Sequence, residues 1–327
     1  MKAIKAKLMC AVAIATAFAY GPAVAQGSPS YPDKPVRIVV GYQAGGPTDT
    51  VARLVAAKLQ EAFKQPFIVE NKPGAGSNIA SEYMAKQAAD GYTLMVAAAP
   101  ITMNPFLYKS LKYDVQKSFT PISMLMSAPV ILGVNTKVPA KNLEELIALA
   151  KKQPGGLTYG SSGTGGTVHL AAEMLRQRTN INVLHVPYKG AAPALNDLMA
   201  GHVTMAFMTS VSHIPHLKSG NPRPIAVASS QRLPQLPDVP TMAEAGLAGF
   251  EVDSWNGLFA PAGTPPDIIK RLQDETIKAV KDPVVREKLI AQGAVPAGTT
   301  SEEFGAHIAK EVSHWSSFLK TANISMD

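Results

Sequence analysis

Apolar runs and polar breaks alternate along the chain in a strand-then-helix rhythm. Val36-Arg37-Ile38-Val39-Val40 is a short β-branched run that predicts a strand, and the glycine-rich Gly41-Tyr42-Gln43-Ala44-Gly45-Gly46 turns it. From Pro47-Thr48-Asp49 onward Val51, Leu54, Val55, Leu59 and Phe63 recur at helical spacing. Phe67-Ile68-Val69-Glu70 predicts the next strand, a loop runs from Asn71 to Asn78, and a second helix begins near Ile79. Asp90-Gly91 then turns the chain into the strand Tyr92-Thr93-Leu94-Met95-Val96. This βαβαβ order predicts a parallel sheet with crossover helices.

Past Pro129 a unit of the same design begins. Val130 to Val134 predicts a strand and Leu143 to Lys151 a helix, stopped at Pro154-Gly155-Gly156. The short strand Leu157-Thr158-Tyr159 runs into Gly160-Ser161-Ser162-Gly163-Thr164-Gly165-Gly166-Thr167, and Val168-His169-Leu170 opens a helix that lasts to about Arg178. Further strands are expected at Val183–Val186, Val203–Met208 and Ile225–Ala228. The C-terminal part reads as helical, with Asp282-Pro283 as an N-cap and Gly293 as a C-terminal cap. In its last helix Phe304, Ile308, Val312, Trp315 and Leu319 form one stripe, read as core packing.

The first residues change the compartment. Lys2, Lys5 and Lys7 precede an apolar run from Leu8 to Ala19 and a small-residue site at Ala23-Val24-Ala25, the pattern of a secretory leader cut before Gln26. That stretch is short for a bilayer span. The expected location is therefore the periplasm. Cys10, the one cysteine, lies in the leader, so the expected mature chain has no disulfide, thiolate metal site or cysteine nucleophile. The three leader lysines account for three of the formal net charge of +7, leaving +4. Such a mild excess with few aromatics does not suit nucleic acid, though it favours anionic ligands. The length after the leader favours two domains.

Chemistry concentrates in the two strand-to-helix turns, Ala44 to Asp49 and Ser161 to Thr167. A helix start leaves N–H donors unpaired and partly positive, so a carboxylate or phosphate can dock there without an arginine. Thr48, Ser162, Thr164 and Thr167 add hydroxyls. Each loop alone is equally well read as a tight turn that caps its own helix; two equivalent loops in successive α/β units favour a ligand site. Enzyme motifs fail at named positions. The P-loop pattern needs lysine where Gly166 stands, and the nucleophile-elbow pattern centred on Ser162 needs glycine where Thr164 stands. The dinucleotide pattern begun at Gly163 needs a small residue at Val168. His213 and His216 read as loop or surface residues, and His169 as a histidine near the proposed cleft that bonds its own loop. Neither a metal nor a cofactor is expected.

Several segments in order resemble the tripartite tricarboxylate transporter substrate-binding family, the TctC-like or Bug proteins. They include Tyr31-Pro32-Asp33-Lys34-Pro35, Ala44-Gly45-Gly46-Pro47-Thr48-Asp49, Glu70-Asn71-Lys72-Pro73-Gly74-Ala75-Gly76 and Ala89-Asp90-Gly91-Tyr92-Thr93-Leu94. Tyr159 to Gly165, Val186-Pro187-Tyr188-Lys189-Gly190, Leu236 to Thr241 and Trp255-Asn256-Gly257 continue the series. The resemblance implies an α/β, type II periplasmic-binding-protein fold: two lobes with central, mainly parallel sheets joined by a two-crossing hinge. Lobe one would comprise residues 26–127 plus 253–327 and lobe two residues 128–252, with residues 1–25 the cleaved leader. Crossings would fall near Ser127-Ala128-Pro129 and Asp253-Ser254-Trp255.

The resemblance further implies a monomeric solute-binding protein that is not an enzyme and binds no nucleic acid. It would hold a small carboxylate, a di- or tricarboxylate or an aromatic acid, and deliver it to membrane subunits of a tripartite tricarboxylate-type transporter. Expected ligand-binding residues are Tyr42, Gln43, Ala44, Gly45, Gly46, Thr48 and Asp49 with Asn78 and Asn104 from lobe one. Lobe two would add Ser162, Gly163, Thr164, Gly165 and His169, with Tyr188 and Lys189 nearby. Asp49, itself an anion, would fix its loop rather than meet the acid. Two departures from the family pattern are Gly41-Tyr42-Gln43, where proline and an aromatic are common, and Met208-Thr209-Ser210, where many relatives carry an aspartate that an ammonium ligand would want. The alternatives are an exported hydrolase using Ser162 and His169, or a sensor presenting its ligand state to a membrane kinase.

Overall fold

Strand β1 (Val36–Val40) pairs in parallel with β2 (Phe67–Asn71) on one side and β3 (Thr93–Ala98) on the other. Helices α1 (Pro47–Phe63) and α2 (Asn78–Met84) make the two crossovers. After β3, α3 (Pro100–Leu107) leads to β4 (Phe119–Ser127), and the chain crosses to a second sheet. There it forms β5 (Val130–Val134), α4 (Leu143–Lys152), β6 (Leu157–Ser161), α5 (Thr167–Thr179) and β7 (Val183–Pro187). It continues through α6 (Ala191–Ala200), β8 (Met205–Thr209), the short α7 (Ser210–His213) and β9 (Arg223–Val227). The chain then returns as β10 (Asn256–Pro261), followed by α8 (Pro266–Lys281), α9 (Pro283–Ala291), β11 (Val295–Pro296) and α10 (Ser301–Ala322). This computed structural model describes residues 31–322 and 324; the leader expected at 1–25 lies outside them.

The sheets run β11-β4-β10-β3-β1-β2 and β7-β6-β8-β5-β9. Read from β2 and from β7, five strands of each follow one plan: β2-β1-β3-β10-β4 and β7-β6-β8-β5-β9. In both, the fourth strand is the first after a crossing and runs antiparallel to its two neighbours. In each plan the fifth strand, β4 or β9, runs the same way as the βαβ strands, so the expectation of mainly parallel sheets holds, with β10 and β5 as the antiparallel strands of the two plans. A strand that enters from the other sheet starts at the edge where the βαβ strands end, so it must run the opposite way.

Caps end the helices where the sequence places them. Asp282 accepts from the backbone N–H groups of Val284 and Val285, and Gly293 takes φ 79° just past α9. Phe304, Ile308, Trp315 and Leu319 of α10 are buried, and Phe304 packs against Trp255 and Phe259 with ring centroids 5.2 and 5.0 Å apart. Gly257 admits that packing: a methyl there would lie 2.1 Å from Phe304 Cζ. The described residues from Lys34 onward form one compact unit that contains both sheets. Among the described residues no helix is long and apolar enough to cross a membrane.

Candidate functional site

The turns after β1 and β6 occupy the same place in the two sheets, and their backbones match. Gly46 and Gly166 are the N-caps of α1 and α5, at φ −77°, ψ 170° and φ −78°, ψ 165°, and neither helix start has a side-chain cap. Gly45 and Gly165 precede them at φ +84° and +77°, a left-handed conformation that glycine takes without the Cβ clash. In each turn the N–H of that glycine donates to a side chain four residues on, to Asp49 Oδ2 at 2.9 Å in the first and to His169 Nδ1 at 3.2 Å in the second. Two uncapped helix starts of one geometry result, each with orphan N–H groups and the positive end of a helix dipole.

Around the first turn Asp49 is buried and fully engaged. Besides the Gly45 N–H, it accepts from Arg53 Nε and Asn71 Nδ2, both at 2.9 Å, and Asn71 also donates to the Tyr42 carbonyl at 3.0 Å. The Arg53 hydrogen bond, reinforced by the Gly45 and Asn71 donors, holds its carboxyl down to about 2. Asp49 thus fixes the loop. Thr48 Oγ1 accepts from Asn256 Nδ2 at 3.0 Å, tying the helix start to the first residue of β10. Gln43, Ala44 and Gly45 are exposed, Gly46 and Tyr42 half-buried. Ser77, just before α2, comes so near the turn that a methyl at Gly41 would lie 1.8 Å from its Oγ. Behind it Asn78 Oδ1 accepts from Asn104 Nδ2 and from the Tyr113 hydroxyl, both at 2.7 Å. Asn78 Nδ2 is buried with no partner among the described residues. A buried donor left unpaired costs about 1–3 kcal/mol, which a ligand acceptor would recover.

Around the second turn Ser162 and Thr164 are exposed, Gly163 is half-buried and Gly165 buried. His169 is only 4% exposed, and burial, with the neighbouring His185, pushes its pKa down to about 4. The neutral ring can accept the Gly165 N–H. Sequence reasoning missed His185, whose Nε2 is 2.7 Å from Ser161 Oγ and whose ring stacks on Tyr159 and lies 4.4 Å from His169. The serine beside a histidine is therefore Ser161 and not Ser162, while His169 is committed to its loop; this is not the pairing a Ser162/His169 hydrolase needs. Tyr188 donates its hydroxyl to Asp197 Oδ2 at 2.6 Å, and its N–H bonds the Ser161 carbonyl at 3.0 Å. Burial, then Asp197, pushes the Tyr188 phenol up to about 12. Lys189 is exposed beside it.

Between the sheets the two crossings are bonded to each other. Asp253 accepts from Ser127 Oγ at 2.6 Å and from the Ala128 N–H at 2.9 Å, and burial pushes its pKa up to about 6. Glu311 of α10 accepts from Trp255 Nε1 at 2.8 Å and Thr102 Oγ1 at 2.9 Å, and burial raises it to about 7. Both acids line a cavity of about 390 Å³ with Ser127, His307 and Lys310. Neither acid stands out in the sequence, Asp253 lying two residues from Glu251 and Glu311 next to Lys310. His213 needs a correction: it is fully buried, not on a loop surface, because it packs on Gly133, where a methyl would lie 2.6 Å from its Cε1. Among the described residues no group of three or more His, Cys, Asp or Glu is placed to hold a metal.

Two sheets of one plan, joined by two bonded crossings and each presenting a glycine-lined helix start, define a two-lobed periplasmic-type binding fold. The chain belongs to the tripartite tricarboxylate transporter family receptor family, whose pattern it matches over residues 51–324. Protein BugT of Bordetella pertussis is 35% identical over 316 residues, covering 96% of this chain and 97% of its own. A UPF0065 protein in the tcbD-tcbE intergenic region of Pseudomonas sp. (strain P51) is 35% identical over 307 residues, 94% of this chain and 91% of that protein. Among solved structures, a protein of R. palustris with adipate is 36% identical with TM-score 0.79, covering 90% of this chain and 99% of that one. MatC from Rhodopseudomonas palustris with bound malate is 33% identical with TM-score 0.75, covering 88% and 100%. The fold class expected from the sequence is borne out, and the family is one of solute-binding proteins.

Proposed function

We propose that this chain is a periplasmic receptor that captures a small carboxylate between two α/β lobes, residues 26–127 with 253–327 and residues 128–252, and delivers it to a tripartite tricarboxylate-type membrane transporter. The observation that carries this is the matched pair of uncapped helix starts at Gly46 and Gly166. An anion docks on such a terminus through backbone N–H groups and the helix dipole. Relatives with adipate and malate support the class of ligand. The Asp49 carboxylate lies in the first turn, but its oxygens are already taken up by hydrogen bonds from Arg53, Gly45 and Asn71; its role is to hold the turn open for the acid. The ligand docks on one lobe and gains donors from the other on closure, and only contacts made in the closed form drive that shift. One chain contains both turns, so a monomer suffices. No covalent bond breaks.

The test is a thermal-shift screen of the mature protein against carboxylic acids, each paired with its amide and methyl ester. A ligand at about 100 times its Kd adds about 2.7 kcal/mol, or a rise of several degrees for a chain of this size. At least one acid raises Tm and its neutral partners do not. An equal response to the amide would remove the basis of the proposal, because a neutral analogue lacks the negative charge that a helix terminus stabilises.

A further inference from the structure

The cavity of about 390 Å³ beside the crossings is of ligand size, at the lower end of the roughly 300–1,000 Å³ of small-molecule pockets. No residue of either glycine turn lines it, so it is separate from the carboxylate site. Its walls come from both sides of the hinge: Ser127 and Asp253 on the crossings, Ser229 and Ser230 just past β9, and Glu311 on α10.

Six titratable groups line this cavity, and their charges do not balance. Glu251 and Lys310 pair with each other at 3.3 Å on the rim, where the lysine is 77% exposed. His307 and His314 stay neutral, because burial and the nearby Lys310 push both pKa values down. Arg178, whose charge also acts on His314, donates to the Ala248 carbonyl at 2.7 Å. Asp253 and Glu311 remain, and among the described residues no cation pairs with either. Their mutual repulsion adds to burial in raising Glu311. Buried charges are normally paired, so two ionised acids in one cavity call for a positive occupant.

The acceptors there also have capacity to spare. Glu311 spends Oε2 on the Trp255 and Thr102 donors. Its Oε1 accepts no hydrogen bond among the described residues, and Trp315 Nε1, which faces the carboxyl from one turn along α10, stays outside hydrogen-bond range. That Oε1 lies 3.9 Å from His307 Nε2, which is buried and has no partner among the described residues. With the ring proton on Nδ1, Nε2 is an acceptor as well. A nitrogen about 2.8 Å from each fits between them with its two N–H bonds about 90° apart, within the bend a hydrogen bond tolerates. A metal ion does not suit this set: among the described residues no three His, Cys, Asp or Glu are placed to hold one. Pro129, Ala228 and Val252 instead offer an apolar wall for a carbon chain.

We infer that the hinge cavity is a second binding site and that it takes a small primary aliphatic amine as its ammonium ion, the head held by Glu311 and His307 beside Asp253 and the alkyl body on the apolar wall. This goes beyond the carboxylate reading and does not depend on it.

Calorimetric titration of the mature protein, in buffers that contain no primary amine, tests the site with n-pentylamine against n-pentanol, which has the same length and no charge. At pH 8 n-pentylamine binds, n-pentanol binds at least about tenfold more weakly, and an equal concentration of potassium chloride does not displace the amine. The affinity for n-pentylamine falls by at least about tenfold from pH 8 to pH 5.5, as protons occupy Asp253 and Glu311 at about 6 and 7. Glu311→Gln keeps an oxygen for the Trp255 and Thr102 donors, yet it weakens n-pentylamine about tenfold and makes the pH profile shallower. A single cooperative melt shows that this variant is folded; if it is not, the n-pentanol comparison and the pH profile of the wild type decide. Absence of amine binding at pH 8, equal binding of n-pentanol, displacement by potassium, a flat pH profile, or an affinity that survives Glu311→Gln in the folded variant overturns the site. None of these outcomes bears on the carboxylate reading, which the acid screen tests separately.

Discussion

A glycine N–H at the mouth of each turn is held by the side chain four residues on, by an ionised carboxylate at Asp49 and by a neutral imidazole at His169. The two solve one geometric problem with different charge. Asp49 requires Arg53 beside it, since a lone anion in the turn would repel a carboxylate ligand. His169 requires burial, because an imidazolium has no lone pair with which to accept an N–H. The second arrangement makes the protein sensitive to acid. The His169 pKa is about 4 in the folded chain against an ordinary 6.5, so the unfolded chain takes up the proton first as pH falls. The stability this group contributes is whole above pH 6.5 and declines as pH drops towards 4. Replacing His169→Leu removes that slope. The Tm advantage of the wild type over the variant therefore shrinks between pH 7 and pH 4.5 in thermal scans at matched ionic strength; an advantage that stays constant would mean that the ring does not titrate in this window. From the sequence His169 could be marked as loop-bonding, but its partner His185 could not. His185 sits on β7, and its contact with Ser161 arises only when β7 and β6 pair.

At the level of elements the crossings behave in the opposite sense. Asp253 sits on the returning segment and bonds the outgoing one at Ser127 and Ala128, so one carboxyl joins the two strands of the hinge. Its folded pKa of about 6 is above the ordinary 3.8, so its ionised form is penalised in the folded chain. No penalty exists below pH 3.8; it grows as pH rises to about 6 and is constant beyond. In Asp253→Asn the penalty is absent, so the Tm of the variant relative to the wild type climbs from pH 4 to pH 6.5 and then levels, the reverse of the His169 profile. A flat difference over that range would place the carboxyl in a solvated setting, and a falling one in a cation-paired setting. The βαβ strands were legible because their signals are local: an apolar run, a glycine turn, a helical stripe. The antiparallel pair β4 and β10 and the two-residue β11 were not, since their pairing joins positions as far apart as Ala98 and Asn256. The glycine turns of the candidate site were legible for the same local reason. Asn71 and Asn256 were missed because a lone asparagine acquires its role only when folding brings Asp49 or Thr48 to it.

Across the whole molecule the two turns belong to separate sheets, and this separates their effects on stability from their effects on binding. Asp49 is bonded within its own neighbourhood by Gly45, Arg53 and Asn71, and His169 by Gly165 beside His185. Changes at sites with no shared partners add in unfolding free energy to within about 0.3–0.5 kcal/mol. Asp49→Ala and His169→Ala are thus expected to lower stability independently, and the double variant by the sum. Binding differs if the ligand bridges both turns. Loss of the Asp49 anchor, a set of charge-assisted bonds each worth about 1.5–3 kcal/mol, lets the first turn relax and weakens the acid by at least about tenfold. Once one turn no longer grips, closure is no longer favoured and the other turn contributes little. The second substitution then costs less than it does alone, and the double variant binds more tightly than the product of the single losses would give. Denaturant melts and calorimetric titrations of the four proteins, against whichever acid raises Tm most, measure both cycles. Strict additivity in binding as well as in stability would mean that the acid rests on one turn only, and the capture of a ligand between two lobes would have to be abandoned.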